Sequence, residues 1–153
     1  MRHIANNRRS NRRILLAMTL FVFYLTGCGH GAPARPLYLQ LGGVERIEGI
    51  SSSMIQRMAT DPRTRRTFDG VNLKTLSASL GAHLCQVADG PCTYEGENMR
   101  NAHADLHLTG SEFEAVVQIL REELDRAGVP HGAKNELLRR LAPMRRDMVA
   151  SDR

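Results

Sequence analysis

The chain has 153 residues, with 21 Lys and Arg against 16 Asp and Glu. All sixteen acids follow residue 27, together with sixteen of the basic residues, so the chain beyond that point is formally neutral. The net positive charge of the whole chain therefore comes from its first 27 residues. The arginine clusters at 63–66 and 139–146 are expected to be solvated faces. This distribution argues against a nucleic-acid-binding protein, which needs a basic surface on its folded part.

The first 27 residues are predicted to be a bacterial lipoprotein signal peptide. Met1–Arg13 has five arginines and no acid, and Ile14–Leu25 is almost entirely apolar, as in the n-region and h-region of a secretory signal. The apolar run is shorter than the roughly 20 residues of a spanning helix. It ends in Leu-Thr-Gly-Cys, which resembles a lipobox and implies lipid attachment at Cys28. A plain cleaved signal and an uncleaved anchor are the alternatives.

Residues 28–36 are predicted to be the lipidated cysteine and a flexible tether, followed by one domain at 37–150. Gly29 stands where inner-membrane lipoproteins of Gram-negative bacteria carry aspartate, so we expect an exported domain on the outer membrane, facing the periplasm, if the source is Gram-negative. Cys85 and Cys92 can pair in an exported domain. A disulfide between them and two free thiols are both open.

The patterns after residue 37 are helical, and they predict an all-α domain. Ile47–Met58 is a weak helical candidate, and Asp61-Pro62 is typical of the cap and first residue of a short helix. A clearer helix begins at Asn72, which can cap it, and stops at Asp89-Gly90-Pro91. Its apolar residues recur three and four positions apart; they are Leu73, Leu76, Leu80, Leu84 and Val87.

Two further helices are predicted near the C-terminus. Thr109-x-x-Glu112 is a potential capping box for a helix that ends at Gly128, and Pro143 predicts a break within the last helix. The apolar stripes are Phe113, Val116, Val117, Leu120 and Leu124 in the first helix, and Leu137, Leu138, Leu141, Met144 and Met148 in the second.

His103 and His107 lie four residues apart in the stretch NMRNAHADLHL, residues 98–108. If this stretch is helical, both imidazoles share one face. Two such imidazoles can bind a metal ion, although the glutamate of the H-E-x-x-H motif is missing. The spacing alone leaves three interpretations open: a metal pair, a single ligand, and no metal role.

The order of several short motifs resembles group 1 truncated haemoglobins, the small two-over-two globins. The resemblance covers roughly residues 37–149. The motifs are Leu37-Tyr38-x-x-Leu41-Gly42-Gly43, Gly49-Ile50, Asp61-Pro62-Arg63, Phe68-x-Gly70-Val71-Asn72-Leu73, Gly90-Pro91-x-x-Tyr94-x-Gly96, Met99-Arg100-x-Ala102-His103-Ala104-x-Leu106, Phe113 and Gly128-Val129-Pro130.

The resemblance implies a two-over-two helical sandwich around haem b, with His103 as the proximal iron ligand and His107 as a bystander. It also implies haem contacts from Phe68, which packs against the macrocycle, from Met99 on the proximal side, and from Tyr94 near the haem edge. The expected cofactor-binding residues are Phe68, Leu76, Leu80, Leu84, Tyr94, Met99 and His103.

The distal side departs from the family pattern. Ile55 stands where the family usually has a tyrosine, and Leu80 stands at its partner glutamine, so Ile55, Leu76 and Leu80 predict an unusually apolar distal pocket. Loss of both donors should weaken O₂ retention more than CO or NO binding. His83 is the one polar residue nearby. We expect it beside the apolar stripe, facing solvent or a haem propionate, with a distal role as the alternative.

The leading function is reversible binding of a diatomic ligand, O₂, NO or CO, by a haem protein tethered to a membrane by lipid. A haem enzyme, either an NO dioxygenase or a peroxidase, is one alternative, and it would require an unknown redox partner. A helical envelope lipoprotein without haem is another.

Overall fold

The structure, a computed structural model, describes residues 35–149, and these form seven α-helices and three short 3₁₀ helices. The α-helices are α1 (Leu37–Gln40), α2 (Gly43–Thr60), α3 (Leu73–Val87), α4 (Met99–His103), α5 (Gly110–Arg126), α6 (His131–Leu141) and α7 (Arg145–Met148). The 3₁₀ helices are Arg65–Phe68, Ala104–Leu106 and Ala142–Met144. The predicted signal peptide and Cys28 lie outside the described residues. The prediction of an all-α fold is confirmed.

The helix ends follow local sequence signals. Asn72 caps α3 by accepting a hydrogen bond from the Thr75 N–H at 3.1 Å, and Thr109 and Glu112 form the complete capping box of α5. Pro143 falls in the 3₁₀ turn that separates α6 from α7, because a proline cannot donate the hydrogen bond that a continuing helix needs. These three predictions are confirmed.

Two other boundaries differ from the predictions. The weak candidate Ile47–Met58 is a full helix from Gly43 to Thr60. No helix begins at Pro62: Asp61 accepts hydrogen bonds from the backbone and guanidinium of Arg63, and the next helical turn starts only at Arg65. The aspartate therefore builds a tight turn rather than a helix start, as Asp side chains commonly do.

The core lies where α3 crosses α2 at close range. A Cβ atom added at Gly81 would come within 3.7 Å of Glu48 and Ser51 on α2, and Ser51 satisfies its buried hydroxyl by donating to the Ile47 carbonyl at 2.8 Å. The core residues are Leu37, Leu41, Ile47, Ile50, Met54, Ile55, Met58, Leu84, Cys85, Ala88, Ile119, Leu120, Leu124, Val129, Ala133 and Leu137.

An ionic contact joins α2 to α5 beside this core. The Arg57 guanidinium lies 2.8 Å from Glu123, which is only 5% exposed, and 2.5 Å from Glu122. A buried carboxylate requires such a partner. Between residues 35 and 149, no helix combines the length and the apolar character needed to cross a membrane.

Candidate functional site

The short helix α4 presents His103 at its C-terminal end. Asn98 caps the helix by accepting from the Asn101 N–H at 3.0 Å, and the Nδ1 atom of His103 lies 2.8 Å from the Met99 carbonyl oxygen. A carbonyl can only accept, so Nδ1 carries a proton, and in the neutral ring Nε2 then keeps its lone pair. A neutral imidazole fixed in this way is a suitable metal ligand.

His107 does not share a helix face with His103. The α-helix ends at His103, a 3₁₀ turn follows, and His107 has a left-handed backbone with φ of 45°. The helical spacing on which a two-histidine metal pair depends is therefore wrong. Residues 35–149 also contain no cluster of three or more His, Cys, Asp or Glu side chains that could hold a metal ion. His103 is left as a single candidate ligand.

The residues expected around the haem on α2 and α3 divide into two groups. Ile55 and Leu84 are buried in the core, with 2% and 3% of their surface exposed. Leu76 and Leu80 are only half-buried, although they belong to the same apolar stripe of α3 as Leu84. At 100° per residue, Leu80 lies about 40° from Leu76 around the helix axis, whereas Gly81 and Cys85, on the core side, lie about 140° and 180° away.

His83 belongs to the same face as Leu76. Seven residues separate the two, so their directions differ by only about 20°. The Nε2 atom of His83 is buried and has no hydrogen-bond partner within the described part of the chain. Burial lowers the pKa of His83, and the nearby His103 lowers it further. The expectation that His83 faces solvent is wrong for this nitrogen, and the expected position beside a haem propionate stays a prediction; the seven-residue spacing from Leu76 is the sequence signal for the shared face.

Tyr94 packs against His83 and continues the wall of the site. The two rings are edge-on, with centroids 4.9 Å apart. The Tyr94 hydroxyl donates to the Glu97 carbonyl at 2.8 Å, and its backbone N–H donates to the Gln86 side chain at 2.7 Å. The bond to Gln86 attaches the loop that precedes α4 to the end of α3, and the bond to Glu97 lies within the loop.

A disulfide fixes the same loop from its other side. Cys85 on α3 is bonded to Cys92, so the structure contains the pair that the sequence left open. Gly90 lies inside this ring, where a Cβ atom would come within 2.5 Å of the Cys85 sulfur. The turn is therefore possible only with glycine at this position unless the disulfide moves.

Arg66 holds the segment after α4 in place. Its guanidinium donates to the carbonyls of Leu106 and His107 at 3.2 Å and binds Glu112 at 2.7 Å. The guanidinium lowers the pKa of Glu112 to about 2, with help from Thr109. Phe68, which follows in the same 3₁₀ turn, is half-buried, as is Met99 on α4.

The whole described domain corresponds to one known family. The bacterial-like globin family matches residues 36–150. This chain belongs to the bacterial-like globins. Among its relatives, a group 1 truncated haemoglobin of Nostoc commune is 33% identical over 93 residues, which are 61% of this chain and 79% of the relative.

Other relatives extend the comparison. A group 1 truncated haemoglobin of Chlamydomonas moewusii is 33% identical over 98 residues, 63% of this chain, and the match spans 57% of that relative's length. The crystal structure of the Tetrahymena pyriformis truncated haemoglobin in its Fe(III) form superposes with a TM-score of 0.73 at 24% identity, covering 76% of this globin and all of that chain. The similarity to the solved structure shows the truncated globin fold.

Proposed function

We propose that this globin binds haem b between α3 and α4, with Nε2 of His103 as the iron ligand, and that it reversibly binds a diatomic ligand, O₂, NO or CO. The observation that carries the proposal is the 2.8 Å bond from His103 Nδ1 to the Met99 carbonyl. It leaves a single oriented lone pair on a half-buried imidazole, which is the arrangement of an axial ligand.

The residues around His103 fit such a cofactor. Leu76 and Leu80 form an apolar face of α3 that the described domain leaves half-buried, and the buried Nε2 atom of His83 has no partner among residues 35–149. Apolar side chains and unpaired buried nitrogens are both stabilised by contact with a further group. The relatives are named truncated haemoglobins, and one was crystallised with Fe(III), which supports haem as that group.

When bound, the haem supplies an iron atom with a position for a gas molecule, and the protein determines the surroundings of that position. Leu76 and Leu80 exclude water, and the buried Ile55 supplies no hydroxyl donor. Hydrogen bonds to charged groups contribute about 1.5 to 3 kcal/mol each. O₂ acquires more negative charge than CO, so the missing donors at Ile55 and Leu80 should weaken O₂ binding more than CO binding.

Absorption spectra of the purified protein test haem binding. We expect a Soret band that is lost or strongly reduced in His103→Gly and restored by added imidazole, whereas His107→Gly should keep the band. Absence of the band from the unmodified chain would support the alternative of a helical protein without haem.

A donor placed on α3 tests the apolar character of the distal side. Leu80→Gln should slow O₂ dissociation by tenfold or more, because about 1.4 kcal/mol corresponds to a factor of ten. Leu80→Met is the matched control, since it changes shape without adding a donor. Equal rates for the glutamine and methionine variants would contradict the predicted apolar pocket.

We also propose that the globin is exported and anchored to a membrane by lipid at Cys28. The lipobox at residues 25–28 supports this, and so does the Cys85–Cys92 disulfide, since disulfides persist mainly in oxidising compartments. In a Gram-negative host, the full chain should partition with membranes and incorporate labelled fatty acid, and Cys28→Ala should do neither. Cys92→Ser is the control, and label retained in Cys28→Ala would contradict lipidation there.

A further inference from the structure

The buried nitrogen of His83 has no role in the packing of the described domain. Nε2 is shielded from solvent and forms no hydrogen bond, whereas buried polar atoms in folded proteins nearly always have a partner. Leu84, the next residue, is fully packed in the core. The unpaired nitrogen is therefore specific to the half-buried face of α3.

Three observations direct this imidazole toward the proposed haem site. His83 lies within about 20° of Leu76 around the helix axis. It is also close enough to His103, the proposed iron ligand, for a charge on one ring to disfavour a charge on the other. The edge of Tyr94, 4.9 Å away between ring centroids, restricts its rotation. The imidazole thus lies against Tyr94, on the face of α3 that carries two leucines unable to donate hydrogen bonds.

We propose that His83 is a specificity-determining residue of this globin, whose Nε2–H donates a hydrogen bond to the diatomic ligand and favours O₂ over CO. This inference rests on the proposed haem site. It adds one donor to a pocket that lacks the two donors expected at Ile55 and Leu80. A polarised O₂ molecule accepts such a bond more strongly than CO does, so His83 discriminates between the two gases.

Burial argues against a propionate as the partner of this nitrogen. A carboxylate binds a charged imidazole better than a neutral one. Burial lowers the pKa of His83, which disfavours the charged form. A neutral N–H donor suits a gas molecule that carries only partial charge.

The experiment compares haem-loaded full chains carrying His83→Phe, which keeps a ring and removes the donor, and His83→Gln, which keeps a donor. His131→Phe, an exposed histidine at the start of α6, is the matched control. The measurements are the O₂ dissociation rate and the infrared C–O stretching frequency of the CO complex. The C–O frequency reports local polarity without any turnover.

We expect His83→Phe to raise the O₂ dissociation rate about tenfold, as the loss of one hydrogen bond should, and to shift the C–O frequency upward. His83→Gln should recover part of both changes, and His131→Phe should cause neither. If His83→Phe fails to retain haem, His83→Leu replaces it in the comparison with His83→Gln.

Three results would overturn the inference. The first is an unchanged O₂ dissociation rate and C–O frequency in His83→Phe, and the second is the same rate and frequency in the phenylalanine and glutamine variants. The third is loss of a six-coordinate ferric spectrum in His83→Phe, which would make His83 an iron ligand itself. In each case the Soret band persists, and the proposed function stands. If the unmodified chain has no Soret band, the proposed function fails first, and this inference fails with it.

Discussion

The two apolar faces of α3 are buried to different extents. On the core face, Cys85 is 1% exposed, and Gly81 allows close approach to α2. On the other face, Leu76 and Leu80 remain half-buried, and His83 holds a nitrogen that has no partner among residues 35–149. One helix thus carries a face that is packed within the protein and a face that is only partly covered. The partly covered face is the one to which we assign the proposed haem site.

Truncation of one buried and one half-buried leucine of α3 should separate the packed and the partly covered regions most strongly. Leu84→Ala removes a fully packed side chain and should lower the free energy of unfolding by about 2 to 5 kcal/mol, with or without haem. Leu80→Ala should cost the haem-free protein much less, and it should lower haem retention. Chemical denaturation of both variants, each with and without haem, provides the measurement. Equal losses in the haem-free state would remove the distinction between the buried and the half-buried region.

Larger side chains at position 81 test the packing of the core face alone. A Cβ atom there makes ordinary contacts at 3.5 to 3.7 Å, so Gly81→Ala should be tolerated. Gly81→Leu adds atoms that have no space against Glu48 and Ser51, and it should cost about 1 to 3 kcal/mol. Thermal unfolding of the two variants compares them. A leucine variant as stable as the alanine variant would show that α2 and α3 are packed more loosely than the structure indicates.

Removal of the α3 cap should affect both faces equally. Asn72→Ala removes the bond to the Thr75 N–H and should cost about 1 kcal/mol. The haem spectrum should remain unchanged, because Asn72 is exposed at the start of the helix. Asn72→Asp, which retains a capping oxygen, is the control. A spectral change in Asn72→Ala but not in Asn72→Asp would connect the cap to the haem site.

The smallest expected effect is on the stability of the fold at acidic pH. Glu112 has its pKa lowered to about 2, chiefly by Arg66, so its ionised form favours the folded state. This stabilisation should be complete above the ordinary carboxyl pKa of about 4.5 and should disappear as the pH falls toward 2. The exposed guanidinium keeps the gain modest. Glu112→Gln should flatten this part of the stability curve, measured by denaturation between pH 2 and 6; an unaltered curve would contradict the assignment.

The sequence was sufficient for the parts of the fold that depend on local signals. The Asn72 cap, the Thr109–Glu112 box and the break at Pro143 involve residues a few positions apart, and all three are present. The seven-residue spacing from Leu76 to His83 is also visible in the sequence, and it predicts that both residues share the half-buried face of α3.

Other features depend on distant residues, and no local pattern could predict them. The chain leaves the α-helix after His103 and reaches a left-handed His107, whose carbonyl and that of Leu106 are bound by Arg66, some 40 positions away. The helical assumption for 98–108 was wrong for this reason. The burial of the His83 nitrogen likewise depends on tertiary packing, including the contact with Tyr94 across a disulfide-bonded loop.

The most direct test of the account is a haem titration of the purified protein, followed at the Soret band, with the unmodified chain and His103→Gly compared under the same conditions. We expect saturation at one haem per chain, and a weak or absent Soret band in the variant until imidazole is added. A band of equal intensity and shape in both proteins would contradict His103 as the iron ligand, and absence of any band would contradict the haem site itself.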